Sequence, residues 1–261
     1  MPVVGLTIRY YFTEAITMGE FFTNDYHGRS FQFLGLPQII TLLLLVLLNI
    51  YLFRDRKKDE KARARTRWTI AIILWVNEAS YHLWHIYFGS WNIQEHIPLH
   101  ACSLLIWLSA LMLIKKNQTI YEFAYFMGIG GALQALLTPD IGIYGFPHYR
   151  FFQTFISHGL LVTSAVYLTV VEGFRPTWKS LLRVMVVMNI YMVIVLGINS
   201  MIGSNYLFVS RKPPGPTLLD ALPEWPIYLL YIEGLGLVMF LLLYLPFLIK
   251  DLRARLKPEA A

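Results

Sequence analysis

The sequence predicts an all-α membrane protein built as a bundle of seven transmembrane helices. Two observations support this fold class. Of the 261 residues, 56% are hydrophobic and only 15% are charged, a balance that is unusual for a soluble domain. Seven apolar segments are also close to the roughly 20 residues that a helix needs to cross a bilayer core. These segments are residues 33–53, 68–88, 97–114, 119–137, 151–171, 180–202 and 225–249.

The orientation follows from the distribution of Lys and Arg between these segments. Of the 22 basic residues, 17 lie on one set of connecting segments, and eight of those lie within residues 54–67. Short loops that are rich in Lys and Arg stay in the cytoplasm. We therefore expect the amino terminus outside and the carboxyl terminus in the cytoplasm.

The domain organisation is predicted to be simple. Residues 1–261 form a single membrane domain, in which residues 1–32 are an interfacial segment on the outer face. No cleavable signal is evident, because Glu14, Glu20 and Asp25 interrupt the pattern. The net charge of +6 lies mainly at the predicted cytoplasmic helix ends, which favours membrane phospholipids as partners over nucleic acid. The sequence leaves protein partners open.

Titratable side chains inside the predicted spans are the candidate functional residues, since such groups are costly in a bilayer and usually face the bundle interior. The second span carries Glu78, His82 and His85, whose spacing puts them on one helical stripe. The third span carries Cys102 near its outer end, and the fifth carries His158. Both residues are expected on the order of 10 Å below the outer helix ends.

Further polar residues lie toward the same predicted outer side and are candidates for substrate binding. Besides Glu78 and His82 they include basic residues that could bind a lipid phosphate or simply reach toward the interface. The polar candidates are Gln134, Asp140, His148, Asn199 and Asn205, and the basic ones are Arg150, Arg211 and Lys212.

The chemistry of these residues fits nucleophilic catalysis. A thiol becomes a nucleophile when a base or a helix amino terminus favours the thiolate. A helix that opens at Pro98 would place Cys102 near its positive end, and free N–H groups there, with Gln134 or Asn199, could hold an oxyanion. The candidate catalytic residues are Cys102, His158 and His100. His158 is the better base, because His100 lies about 200° around the helix from the thiol.

Other interpretations stay open at this point. A lone buried Cys often acts as a small hydrophobic residue, and a lone intramembrane His often only joins two helices. The protein could instead be a zinc-dependent membrane lipid hydrolase, in which Glu78, His82, His85 and His100 hold zinc with an open coordination position, although there is no HExxH motif. A transporter or sensor is a third possibility, but repeated halves are not evident in the sequence.

Four runs of sequence carry a resemblance to a known family. They are PLHACSLLIW at 98–107, GIGGALQALLTPD at 128–140, FPHYRFFQTFISHG at 146–159 and NYLFVSRKP at 205–213. These runs resemble the YwaF-type bacterial integral membrane proteins, which are kin of the transmembrane protein 164 family of animals. The resemblance implies a multi-pass protein of the bacterial plasma membrane. It also implies a cysteine-dependent acyltransferase that moves fatty acyl groups between phospholipids, with Cys102 as nucleophile and His158 as its partner. We expect no cofactor.

Overall fold

The computed structural model describes residues 18–213 and 218–256, and within these ranges the chain contains eight helices and no strand. The all-α prediction is therefore confirmed for the described residues. Residues 1–17 of the predicted interfacial segment, and Lys257 among the basic residues, lie outside them. The helices are α1 (Met18–Phe22), α2 (Leu36–Leu52), α3 (Glu60–Tyr87), α4 (Ala101–Lys115), α5 (Gln118–Leu137), α6 (Tyr149–Val170), α7 (Trp178–Ile202) and α8 (Ile227–Arg255).

Each predicted span coincides with one of the helices α2 to α8. Five of these helices, α2, α5, α6, α7 and α8, are long and apolar enough to cross a membrane. The other two depart from that standard for different reasons. Helix α4 has only 15 residues, and α3 carries several polar side chains along its length. The count of seven spans and the direction of the termini stay predictions.

Two helix boundaries differ from the predicted ones because of local capping. Helix α3 begins at Glu60, eight residues early, since the Asp59 side chain accepts a hydrogen bond from Ala62 N at 2.8 Å. Helix α4 begins late, at Ala101. The residues before it form a turn in which Leu99 N donates to Ile97 O at 2.7 Å.

Helix α6 lies at the centre of the bundle, where α2, α3, α4 and α5 all pack against it. Its apolar window is 72% buried, whereas the windows of α2, α7 and α8 are only 6%, 17% and 11% buried. The three outer helices thus present apolar side chains to the surroundings, as lipid-facing helices do. The buried helix is the one that carries His158.

Helix α5 contains a π-helical turn at Ala124–Gly128, a feature that the sequence analysis did not predict. Such turns interrupt a regular helix and are frequent near functional sites. After this turn α5 meets α8 closely, because a Cβ built at Gly130 would lie 2.6 Å from Met239 Sδ. Small residues at this point allow the two helices to approach each other.

The described residues before α2 pack over the amino-terminal end of α6. Trp84 Nε1 on α3 donates to Phe22 O at 2.8 Å, and Tyr144 Oη donates to Asn24 O at 2.9 Å. Residues 18–32 therefore cover the ends of α3 and α6 that the predicted orientation places outside.

Candidate functional site

The Cys102 thiol lies in the first turn of α4. His100 is the N-cap residue with an extended backbone, and its side chain makes no hydrogen bond to the first turn. The first N–H groups of a helix have no intrahelical partner, so they are available beside the thiol. The sequence placed Cys102 slightly deeper, because it expected the helix to open at Pro98.

One side of the sulfur faces the backbone of α5. A Cβ built at Gly131 would lie 3.5 Å from Cys102 Sγ, which is ordinary van der Waals contact. Cys102 is half-buried and packs against the main hydrophobic core. The thiol is thus held between α4 and α5 rather than buried entirely in the core.

The imidazole of His158 is oriented by the backbone of its own helix. Its Nδ1 lies 2.8 Å from Thr154 O. A carbonyl oxygen can only accept a hydrogen bond, so Nδ1 carries the proton. In the neutral ring Nε2 then has a free lone pair, which is what a general base requires.

Cys102 and His158 lie on α4 and α6, two helices that pack against each other, but no hydrogen bond joins them within residues 18–213 and 218–256. Two charged residues lie on the same group of packed helices. Glu78 lies on α3, which packs against both α4 and α6, and Arg150 lies on α6 with His158. We call Cys102, Glu78, Arg150 and His158 the polar cluster.

Glu78 is buried, with 2% of its surface exposed, and its Oε1 atom has no hydrogen-bond partner. His82 Nε2 lies 3.8 Å from this oxygen, which is too far for a hydrogen bond. The His82 ring is fixed at its other nitrogen, where Nδ1 accepts a hydrogen bond from Trp91 Nε1 at 3.2 Å. The carboxyl group therefore has an unused acceptor inside the bundle.

Arg150 lies in the first turn of α6. Its guanidinium donates to Gln153 Oε1 and lies 4.5 Å from the centre of the Tyr81 ring. In the part of the chain that the structure describes, no carboxylate comes within salt-bridge distance of it. A guanidinium has five N–H donors, so Arg150 keeps donors for an anionic ligand.

The family of the chain follows from comparison with known proteins. The family model described as "TMEM164 family" matches residues 27–244, a range that includes the whole polar cluster. The chain belongs to the TMEM164 family. Neither the curated proteins nor the solved structures gave a match. With its long apolar helices, this TMEM164 family member is a multi-pass membrane protein.

In this TMEM164 family member, His148 has a capping role. It is the buried N-cap residue of α6, where Nδ1 accepts from Arg150 N at 3.1 Å and Nε2 donates to Thr23 O at 2.8 Å. Burial lowers the pKa of this imidazole, so the neutral form that the two hydrogen bonds require is favoured. His148 thereby fixes the start of α6 and the position of Arg150.

Asn199 and Asn205 stabilise the turn after α7. The Asn199 amide donates to Tyr206 O at 3.0 Å and to Ser210 Oγ at 3.1 Å, while its oxygen accepts from Tyr206 N. The Asn205 amide donates to Arg211 O at 2.9 Å. Both N–H donors of the Asn199 amide are used in this turn. Asn199 therefore has no free donor for the oxyanion, the role that the sequence predicted for it.

The remaining predicted binding residues lie at the surface or in loops. Gln134 and Asp140 are exposed, and so is Arg211. Lys212 donates to Leu222 O at 2.9 Å and pairs with Glu224 at 3.1 Å. Among the three basic candidates, Arg150 is the one that the structure brings into the polar cluster.

The four residues of the zinc alternative are engaged in different contacts. His85 Nδ1 lies 2.8 Å from Ser90 Oγ, whereas His100 Nδ1 accepts from Leu207 N at 3.4 Å and packs against the Tyr206 ring. Within residues 18–213 and 218–256, no group of three or more His, Cys, Asp or Glu side chains is placed to hold a metal ion. The structure thus does not support a zinc site at Glu78, His82, His85 and His100.

Several residues of the site were not predicted from sequence. Gln153 and Tyr81 hold Arg150, Thr154 orients His158, and Gly131 faces the thiol. Gln153 and Thr154 lie inside the run FPHYRFFQTFISHG, so the resemblance pointed to their segment. The group of Thr154 that orients His158 is its backbone carbonyl. Every residue has such a carbonyl, so the residue type at position 154 could not indicate this role.

Proposed function

We propose that this TMEM164 family member is a membrane enzyme that moves fatty acyl groups between glycerophospholipids through a thioester on Cys102. The observation that carries the proposal is the polar cluster. It contains a thiol in the first turn of α4, and an imidazole with an available Nε2 and a half-buried guanidinium on α6, which packs against α4. Family membership and the resemblance described above support the same class of reaction.

In the first half-reaction, His158 Nε2 takes the proton of the Cys102 thiol. The sulfur then attacks the ester carbonyl carbon, and the resulting oxyanion accepts hydrogen bonds from the free N–H groups at the start of α4. When this intermediate collapses, the carbon–sulfur bond is retained and the ester carbon–oxygen bond breaks. His158 returns the proton to the oxygen of the departing lysolipid.

In the second half-reaction, His158 takes the proton of an accepting hydroxyl group. The hydroxyl oxygen attacks the thioester carbon, the carbon–sulfur bond breaks, and the proton passes from His158 to the sulfur. If water is the acceptor, the same steps release a fatty acid and the enzyme acts as a lipase. All proton transfers use groups of the chain itself, so the scheme requires no cofactor.

The place of the reaction follows from the predicted orientation. The polar cluster lies toward the end of the bundle that residues 18–32 cover, which is predicted to face outward. The substrate would be a phospholipid of the outer leaflet, and the membrane would be the plasma membrane of a bacterium. Arg150 is the group best placed to bind its phosphate, because it is half-buried against the Tyr81 ring and retains N–H donors.

The proposal is tested by detecting the covalent acyl intermediate on Cys102. Purified protein incubated with phospholipid should gain the mass of one acyl group, located on Cys102, and neutral hydroxylamine should remove it as expected of a thioester. Cys102→Ala is the control and should gain no mass. Folded wild-type protein that gains no acyl group from any phospholipid tested would overturn the proposal.

A further inference from the structure

Three glycines follow one another closely on α5, and each faces a different neighbour. A Cβ built at Gly128 would be 3.9 Å from Ala124 Cβ, and one at Gly130 would be 2.6 Å from Met239 Sδ on α8. A Cβ at Gly131 would be 3.5 Å from Cys102 Sγ. Of these three, Gly131 is therefore the glycine that faces the thiol.

Packing does not require glycine at position 131. The built Cβ meets Cys102 Sγ at an ordinary van der Waals distance, so an alanine would fit. Glycine inside a helix is less favourable than alanine, so another property must account for glycine at this position. What glycine provides here is space about the size of one methyl group against the sulfur.

That space has the dimensions that nucleophilic attack requires. A reacting atom must approach a nucleophile to about 3–3.5 Å before a bond forms. The Cβ of an alanine at position 131 would occupy a point 3.5 Å from the sulfur. A methyl group there would compete directly with an incoming carbonyl carbon.

A second observation concerns Glu78 on α3, a helix that packs against α4. Glu78 is buried, and its Oε1 atom lacks a hydrogen-bond partner. A buried acceptor without a partner is unfavourable, and a ligand with a hydroxyl donor would remove that cost. Glu78 thus offers a buried acceptor on a helix next to the one that carries the thiol.

We infer that Gly131 determines specificity in the acyl site: the ester carbonyl reaches Cys102 across this glycine, and the gap admits unbranched acyl groups. This inference rests on the proposed function. A methyl branch next to the carbonyl needs the volume that the gap lacks, so acyl chains branched at that carbon are excluded. The unpartnered Glu78 oxygen suits an alcohol portion that carries a free hydroxyl, as in a lysophospholipid.

The experiment compares Gly131→Ala with Gly128→Ala, a matched control on the same helix whose new Cβ would face Ala124 and Leu105. Cys102 is modified with methyl methanethiosulfonate and with the larger benzyl reagent. We expect Gly131→Ala to lower the benzyl-to-methyl rate ratio at least ~10-fold, since small misplacements at a reacting centre have such effects. Gly128→Ala should leave the ratio within about twofold of the wild type.

A second measurement needs no variant. Wild-type protein should form the Cys102 adduct at least ~10-fold faster from an unbranched acyl phospholipid than from one branched beside the carbonyl. The inference would be overturned if the adduct formed at equal rates from both lipids. It would also be overturned if Gly131→Ala had the same benzyl-to-methyl rate ratio as the wild type. If Gly131→Ala lowers the benzyl-to-methyl rate ratio but the wild type forms no acyl adduct, the gap beside Cys102 is supported and acyl transfer is rejected. Failure of this inference and failure of the proposed function therefore give different results.

Discussion

His158 donates its Nδ1 proton to the carbonyl oxygen of Thr154, one helical turn earlier, at 2.8 Å. This bond orients the ring and fixes its tautomer without a third charged side chain. A carboxylate has this role in many catalytic triads, and here the helix backbone takes it over. Nε2 is left with a free lone pair, and it is the atom that accepts the thiol proton in the proposed mechanism.

Replacing His158 by Gln should therefore remove the base while preserving a polar side chain of similar length. We expect acyl transfer between phospholipids to fall by about 10²–10⁴-fold, the usual contribution of general acid–base catalysis. The measurement is turnover of a labelled phospholipid. Thr154→Val is the control, because the carbonyl that orients His158 remains and activity should persist. Unchanged turnover in His158→Gln would exclude His158 as the base.

Arg150 is predicted to bind the lipid phosphate. Arg150→Gln should raise the KM for phospholipid by roughly 10–100-fold, the effect of losing a hydrogen bond to a charged group. The kcat for an acyl ester without phosphate should change little. Arg150→Lys should restore only part of the affinity, because a lysine lacks the planar pair of donors.

The control for this prediction is Arg211→Gln. Arg211 is exposed on the loop after α7, outside the polar cluster, so its replacement should leave the KM unchanged. An equal increase in both variants would mean that general surface charge, and not Arg150, attracts the substrate.

A buried ionic cluster near the opposite end of the bundle should matter for stability. Glu172, with 2% of its side chain exposed, pairs with Arg67 and lies 2.9 Å from Lys116. Glu172→Leu would leave Glu60 as the remaining carboxylate partner of both cations, and we expect about 1–3 kcal/mol of destabilisation in denaturant unfolding. The exposed pair Arg175–Asp251 is the control, since Asp251→Asn should cost less than about 1 kcal/mol. Similar losses of stability in Glu172→Leu and Asp251→Asn would contradict this prediction.

Acid should weaken the same region through Glu60, which precedes the predicted span of α3. The hydrogen bond from Arg67 lowers the pKa of Glu60 from 4.5 to about 2. Because the folded-state pKa is depressed, the ionised carboxylate stabilises the fold above about pH 4.5, and this contribution is lost as the pH falls toward 2. Unfolding measured from pH 7 to pH 3 should show this loss. Glu60→Gln should show a smaller dependence on pH, and an identical profile would contradict the assignment.

The sequence was sufficient for the helices because hydrophobic segments of bilayer length have few other structures available. It was less accurate at helix ends, where short-range bonds decide. The cap of Asp59 extends α3 into the basic segment, and the turn at Leu99 delays α4. The π-helical turn at Ala124–Gly128 left no pattern in the sequence that we could identify.

For the site, the sequence identified residue types and depth. Cys102, His158 and Glu78 were candidates because charged and nucleophilic groups inside a membrane are costly. Arg150 was a candidate because it is a basic residue on the predicted outer side. The same two criteria also selected Asn199 and Lys212. Local bonds to the turn after α7 and to Glu224 engage those two side chains elsewhere.

The sequence by itself determined an all-helical membrane protein, its apolar segments and the set of polar residues within them. Only the tertiary structure decided which polar residues lie on helices that pack together and which cap helices or turns. Helical periodicity fixes where a side chain points on its own helix, but the order and rotation of helices depend on packing across the whole bundle. The space at Gly131 lies between the backbone of one helix and the side chain of another, so it becomes visible only when α4 and α5 are packed together.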